Sequence, residues 1–317
     1  MKKRSLIIDA NNILYRTFFA HSKETLDVLV GMCHHSALWS MLGFYKEYPA
    51  DEIVVAFDAK SWRKFYTENL DECVTDKKYK GERRKNLTES EKQKFAIFDE
   101  HVDAFYELLK NETSLLVLKR KYLEADDLIA GYIQNNTNMQ HILISSDKDY
   151  MQLLGKNDLI LIDPDSKKPR SLIDYNDDPD YYMFEKCFRG DTSDNIMSAY
   201  PRLRSTKIKE AYSDNYLREN LMEHTFTMLI NDSEGNIVEK EYKTRDVFEE
   251  NNFLMNLSLQ PDYIRKLIDT EISEAENSRG KFNYFKFIKF CGKHELKNIL
   301  GNIESFIPLL SNKRFSR

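Results

Sequence analysis

The chain has 317 residues, of which 41% are hydrophobic and 31% charged, with a formal net charge of −5. That balance belongs to a globular protein with chain enough for two domains, and it excludes a uniformly basic nucleic-acid coat while leaving local basic surfaces open. No apolar run has membrane-spanning length, and Met1-Lys2-Lys3-Arg4 leads into a short strand instead of a signal-peptide core; the scattered Cys33, Cys73, Cys187 and Cys291 read as reduced thiols in a cytoplasm.

Taken in chain order, Arg4–Ile8 reads as a buried strand ending in Asp9, with Ile13–His21 helical after it. A helix over Gly31–Tyr48 follows, with Met32, His35, Leu38, Trp39, Leu42 and Tyr45 at three/four spacing and Pro49 marking its end. Ile53–Phe57 is the second strand, closed by Asp58 as the first is closed by Asp9. The stretch Ser61–Lys85 has no core pattern and is basic and aromatic, after which Thr88–Glu91 forms a capping box. The helix it opens carries Phe95, Phe98, Val102, Phe105 and Leu109 on one face. Leu115–Leu118, Ile142–Ile144 and Leu159–Ile162 complete the strands. The expected fold is α/β, a mainly parallel sheet flanked by helices, with a smaller, mostly helical C-terminal region. The expected division is residues 1–180, including a basic segment at 61–94, and residues 181–317. In the second part Phe226–Ile230 and Ile237–Tyr242 form a hairpin, and helices start near Tyr263 and Asn283.

Strand-then-Asp recurs at Asp9, Asp58 and Asp147. In an open α/β sheet, groups just past the carboxyl ends of strands face the ligand crevice. Glu124, Asp126 and Asp127 lie where a strand gives way to a helix, and Asp147 and Asp149 follow Ile142–Ile144. Either cluster alone is equally read as helix capping. Together they would repel unless cations lay among them, and magnesium favours carboxylate and water oxygens. With Asp191 and Asp194, nine carboxylates compete for one site suited to two divalent ions. There is no Gly-rich phosphate loop, GxSxG elbow or HExxH motif, and the seven histidines lack metal spacing. The basic segment carries Arg63, Lys64, Tyr79, Lys80, Arg83 and Arg84, which read either as a solvated loop or as a DNA-contacting surface. Placed beside an acidic crevice, Lys80 and Arg83 would reach the scissile phosphate. The chemistry expected is phosphodiester hydrolysis on nucleic acid.

These motifs also resemble a family. Asp9-Ala10-Asn11-Asn12-Ile13-Leu14-Tyr15-Arg16, Tyr79-Lys80-Gly81-Glu82-Arg83, Glu124-Ala125-Asp126-Asp127, Ser145-Ser146-Asp147-Lys148-Asp149 and Arg189-Gly190-Asp191-Thr192-Ser193-Asp194-Asn195 occur in the order found in 5′-nucleases. That family includes the flap endonucleases and the 5′-nuclease domain of DNA polymerase I, and its T-even-type phage ribonuclease H branch looks most similar.

The resemblance implies a nuclease acting at 5′ ends and 5′ flaps, on DNA and on RNA–DNA duplexes. Its implied work is primer removal with two Mg2+ ions, for which Mn2+ could substitute. It assigns Asp9, Asp58, Glu124, Asp126, Asp127 and Asp147 to a first metal, and Asp149, Asp191 and Asp194 to a second. Tyr79, Lys80 and Arg83 match the base of the family's arch, with Arg63 and Lys64 on the same strand-facing surface. Where relatives carry a Gly-rich duplex-gripping turn, Met197–Arg204 has no glycine. This leaves Arg202, Arg204, Lys207 and Lys209 as duplex contacts in place of a backbone-held monovalent ion. Implied partners are a single-strand-binding protein and a sliding clamp, with no membrane and a monomeric state. Phe306–Leu310 has the form either of a clamp peptide or of a last-helix core contact. The alternatives are a PIN-like endoribonuclease and a non-catalytic DNA-structure-binding protein.

Overall fold

The computed structural model describes residues 2–69, 73–83, 85–231 and 236–313. In chain order the elements are β1 (Arg4–Asp9), α1 (Ala10–Ala20), α2 (Leu26–Glu47), β2 (Glu52–Ala56), α3 (Trp62–Glu68), α4 (Glu89–Glu112), β3 (Leu116–Leu118), α5 (Ala125–Asn135), β4 (Gln140–Ile144) and β5 (Leu159–Ile162). They continue with α6 (Pro179–Arg189), α7 (Ser205–Ser213), α8 (Asn215–Met222), β6 (Thr225–Asn231), β7 (Ile237–Lys243), α9 (Thr244–Met255), α10 (Asp262–Asn277), α11 (Tyr284–Lys293), α12 (Lys297–Leu300) and α13 (Ile303–Leu310). No helix among the described residues is long and apolar enough to cross a membrane.

Packing divides the chain into two units. The first takes the described residues of Met1–Lys60, Leu87–Ser171 and Asp262–Arg317, and the second those of Ser61–Asn86 and Leu172–Pro261. This differs from the break expected near residue 180. The helices α10–α13, expected in the duplex-gripping region, belong to the sheet-bearing unit: α10 packs on α5 and β3, α11 on α4, and α13 on α2. Gly131 of α5 makes room for Ile268 of α10, where an added Cβ would overlap. Phe306, Leu309 and Leu310 are fully buried, so the last helix is a core contact and not a clamp peptide.

The sheet of the first unit has order β3-β2-β1-β4-β5, and every pairing is parallel. Leu6, Ile7 and Ile8 are buried, the apolar run required of a strand covered on both faces. Asp9 pairs in register with Ala56, and Ile8 with Ile144, so β1, β2 and β4 end at one edge. Strands β2 and β3 lie on one side of β1 and β4 and β5 on the other, which puts a topological switch point between β1 and β4. The Thr88–Glu91 capping box opens α4 as expected, with Phe98, Val102, Phe105 and Leu109 buried. Helix α2 begins at Leu26, five residues before the expected start. It buries Cys33, His34, Ala37, Met41 and Phe44, while Met32 and His35 are only half-buried. A helix packed against α1, α4 and α13 buries more than one stripe, and a single-face reading misses that.

The second unit corrects the reading of Ser61–Lys85. Ser61 caps α3, whose Trp62, Arg63 and Thr67 are buried. Arg63 is 2% exposed. Its Nε donates to the Leu254 carbonyl at 2.6 Å, and its guanidinium lies 4.9 Å from the Trp62 ring. It is therefore a core residue and not part of a strand-facing surface. Tyr79 is likewise buried, within a cluster that includes Met183, Ile196 and Leu254, while Lys64 is half-buried. Glu250 of α9 ties the segment down by accepting the Val74 and Thr75 amides at 2.8 and 2.9 Å. Strands β6 and β7 pair antiparallel as the expected hairpin, whose turn lies outside the described residues.

Candidate active site

In the first unit, the carboxyl edge of the sheet gathers acids through a chain of short-range bonds. Asp9 ends β1 and caps α1, its Oδ1 accepting the Asn12 amide at 3.0 Å. Its Oδ2 accepts hydroxyl protons from Ser145 at 3.1 Å and Tyr150 at 3.2 Å. The Ser145 hydroxyl also receives the Asp147 amide, and Asp147 in turn caps the Asp149 amide at 2.8 Å. Asn11 accepts the Asp58 amide, and Asp58 accepts the Ala125 amide at 2.8 Å, linking β2 to the start of α5. There Asp127 accepts the Glu124 amide, and one ligand oxygen from each of Glu124, Asp126 and Asp127 lies within 4.8 Å of the others. Capping and convergence are thus both present, because a helix N-terminus is a place where several acids can be held close.

The electrostatics follow from burial. Burial, then the charge of Asp58, and after it that of Asp147, pushes the Asp9 carboxyl up from 3.8 to about 7, against hydrogen bonds from Asn12 and Ser145. Tyr150 is raised well above its ordinary range, first by burial and then by Asp9, Asp126, Asp147 and Asp58. One phenol therefore senses four of the acids. Every donor to Asp9 is neutral, and the donor set holds oxygen alone, with no imidazole or thiolate. Hard divalent cations fit such a set.

Asp191 and Asp194 belong to the second unit, so the nine acids expected in one site fall into sets of seven and two. Gly190, at φ +67°, opens their loop; a Cβ there would meet the Ile196 carbonyl oxygen at 2.5 Å. Asp191 and Ile196 then exchange backbone hydrogen bonds of 3.0 and 2.7 Å. The Asp191 carboxylate accepts from the Ser193 amide and hydroxyl, and faces Lys186 Nζ at 3.4 Å. Burial opposes its ionisation, but those bonds and Lys186 hold its carboxyl below the usual value. Asp194 meets Arg83 Nη2 at 2.6 Å and Lys80 Nζ at 3.8 Å, and the Lys80 amide donates to the Asp194 carbonyl. The two expected basic residues are thus brought together with one expected acid. Arg202, Arg204, Lys207 and Lys209 are exposed at and before the start of α7. Arg84 lies outside the described residues.

The sequence reading passed over the residues that orient these acids. Asn12, Ser145 and Tyr150 act through bonds between distant segments, and only the Asp9–Asn12 and Ser145–Asp149 motifs signalled them. Lys186 had one available signal, a lysine one turn before the helix end that precedes Asp191.

A model described as the 5′-3′ exonuclease, N-terminal resolvase-like domain, matches residues 4–179. DNA polymerase I of Caldicellulosiruptor bescii is 26% identical over 226 residues, which is 66% of this chain and 24% of that protein. The chain therefore spans about a quarter of the length of that curated relative. Among solved structures, a bacteriophage T5 5′-exonuclease with bound zinc superposes with a TM-score of 0.60 at 21% identity, covering 87% of this chain and 99% of that one. The T5 flap endonuclease, in a pseudo-enzyme–product complex with DNA and metal ions, gives a TM-score of 0.59 at 20% identity, covering 86% and 99%. These likenesses establish the shared fold.

Proposed function

Because the chain belongs to the 5′-3′ exonuclease family, we propose that it is a structure-specific 5′ nuclease, hydrolysing phosphodiester bonds at 5′ ends and 5′ flaps of DNA and of RNA–DNA duplexes. In replication that activity removes RNA primers and displaced flaps, and the setting implied by its phage-type resemblance is the cytoplasm of an infected bacterium. The observation that carries the reading is the acidic edge of the first unit's sheet, where one ligand oxygen from each of Glu124, Asp126 and Asp127 lies within 4.8 Å of the others, and where burial and the neighbouring Asp58 and Asp147 charges push the Asp9 carboxyl up. A fold retains such repulsion where cations relieve it, and magnesium, with manganese as a substitute, suits an oxygen-only donor set. When bound, these ions polarise phosphate oxygens and offset the charge of the acids.

The chain's own residues do the rest. Asp9, Asp58, Glu124, Asp126, Asp127 and Asp147 would hold the first ion, with Asp149, Asp191 and Asp194 for the second. Asn12, Ser145 and Tyr150 fix the direction in which Asp9 presents its oxygens. Lys80 and Arg83 present positive charge to the phosphoryl oxygens as negative charge develops. Arg202, Arg204, Lys207 and Lys209 take duplex phosphates and set the register of the substrate. The protein works as a monomer beside a single-strand-binding protein and a sliding clamp.

The test is cleavage of a 5′-flap duplex labelled at its 5′ end, with magnesium and then with EDTA, beside an Asp149→Asn control. Release of flap products that needs magnesium and vanishes in the control supports the reading. Tight duplex binding with no product would leave a DNA-structure-binding protein.

A further inference from the structure

In the second unit, Asp191 and Asp194 differ from Asp9 in one respect: protein cations already face them. Asp191 Oδ1 accepts the Ser193 amide and hydroxyl at 2.8 and 2.7 Å, and its Oδ2 faces Lys186 Nζ at 3.4 Å. Asp194 Oδ1 accepts from Arg83 Nη2 at 2.6 Å, and its Oδ2 faces Lys80 Nζ at 3.8 Å. Each carboxylate oxygen of the pair thus has a donor or a cation beside it. Lys186 is the one cation of the three to which the proposed reaction gives no role. It stands in the last turn of α6 with its side chain only 11% exposed, so its ammonium is confined beside Asp191.

The loop does not take its shape from these ion pairs. The Lys80 amide donates to the Asp194 carbonyl at 2.7 Å, Asn195 Nδ2 to the Lys78 carbonyl at 2.9 Å, and Arg83 Nε to the Ser193 carbonyl at 3.1 Å. Asp191 and Ile196 close the loop by main-chain bonds, and Ile196 is buried in one cluster with Tyr79 and Met183. The two carboxylates are therefore held in place apart from their cations, which act on them through charge. Within the second unit, three cations facing two carboxylates leave one positive charge in surplus. A divalent ion arriving from water meets a site of its own sign, at distances where charges interact strongly. DNA phosphates that take up the charges of Lys80 and Arg83 reverse this balance. Lys186 and two carboxylates then leave one negative charge.

We propose that Lys186, with Lys80 and Arg83, is a resident counter-cation of the Asp191–Asp194 pair, so that these acids take a divalent ion tightly only once DNA is bound. Lys186 is a positioning residue: it acts through Asp191, holds that carboxylate when no ion is there, and keeps the DNA-free affinity low. The inference rests on the nuclease reading, in which Asp191 and Asp194 serve the second ion, and adds an order of binding to it. The rival is a plain structural ion pair. Removing Lys186 would then loosen the loop and weaken ion binding, whereas removing a counter-cation strengthens it, so the two readings differ in sign.

The experiment titrates the full chain with calcium in a calorimeter, alone and saturated with a 5′-flap duplex, subtracting uptake by the duplex itself. The wild type should show a tighter and a weaker class of site, and the duplex should tighten the weaker class about tenfold, the scale of one exposed charge interaction. Lys186→Met should show that tightening without DNA, Lys186→Arg should restore the wild-type behaviour, and Asp191→Asn should lose the weaker class. An unchanged or lowered weak affinity in Lys186→Met overturns the proposal, as does a weak class that ignores the duplex. Should Lys186→Met unfold, Lys186→Gln carries the same comparison, and unfolding of both decides for the structural ion pair. Loss of the weaker class in Asp191→Asn beside an unresponsive Lys186→Met removes this inference alone. Calcium uptake and flap cleavage at wild-type levels in Asp191→Asn remove the second-ion reading and this inference with it.

Discussion

Arg83 holds Asp194 through a 2.6 Å hydrogen bond from Nη2, while its Nε donates to the neighbouring Ser193 carbonyl at 3.1 Å. Two donors of one planar guanidinium thus grip one loop, and a lysine ammonium has no second donor at that spacing. Arg83→Lys should therefore keep the charge and still slow flap cleavage by roughly tenfold, the worth of one charge-assisted bond. Single-turnover rates at saturating DNA check this; a wild-type rate would reduce Arg83 to a general positive charge.

Asp147 and Asp149 are linked by the bond from the Asp149 amide to the Asp147 carboxylate. Asparagine keeps that acceptor and removes a charge. Asp147→Asn and Asp149→Asn should retain the melting temperature while losing cleavage by at least about 100-fold, the scale of removing one electrostatic interaction from a transition state. Near wild-type turnover in either variant would show the metal assignment to be wrong.

The raised Asp9 carboxyl makes stability depend on pH with a definite sign. Its folded value is about 7 and its ordinary value 3.8, so between them the folded state binds more protons than the unfolded one. Metal-free protein should lose stability as pH rises from about 4 to 7 and show no further loss from this group above that. Calcium or magnesium should restore several degrees of melting temperature at pH 8 and little at pH 5, and Asp9→Asn should flatten the slope. Thermal melts across pH, with and without metal, measure both.

Arg63 sits in the core of the second unit, so its loss acts on folding. Arg63→Ala should cost about 2–4 kcal/mol, through the Leu254 carbonyl left unsatisfied and the missing packing against Trp62. Denaturant unfolding would detect it. An unchanged midpoint with weakened DNA affinity would return Arg63 to a DNA-contacting surface.

The exposed set Arg202, Arg204, Lys207 and Lys209 makes a prediction about salt. Neutralising all four should weaken binding to every duplex alike, and should lower the slope of log affinity against log salt by about 0.9 for each phosphate that is no longer neutralised. A change in sequence preference without a change in slope would exclude the phosphate role.

The acids of the first unit were legible because a parallel sheet turns a local pattern into a spatial one. A strand followed by Asp occurs at Asp9 and Asp58, and in-register pairing of β1, β2 and β4 carries those ends to one edge. Helix α4 was legible because its cap and its apolar stripe agree. Helix α3 was not, since seven residues containing Arg63, Lys64 and Tyr66 give no apolar stripe; its burial depends on Leu254 and Glu250, almost two hundred positions away. The division into units escaped for the same reason. No composition break marks residue 262, and only the docking of α10 on β3 and α5 shows where the later helices belong.

That docking bears on how the protein is made. The first unit is assembled from three separated stretches, and the 90 residues of Leu172–Pro261 intervene before the third begins. At a synthesis rate of about 5–20 residues per second, the sheet waits roughly 5–20 s for α10, and longer for the Phe306–Leu310 plug. The second unit has all its segments earlier, by Pro261. Throughout that interval the emerging chain carries the whole acidic edge of its sheet on a core that is still open, so maturation of the nuclease is timed by its final helices.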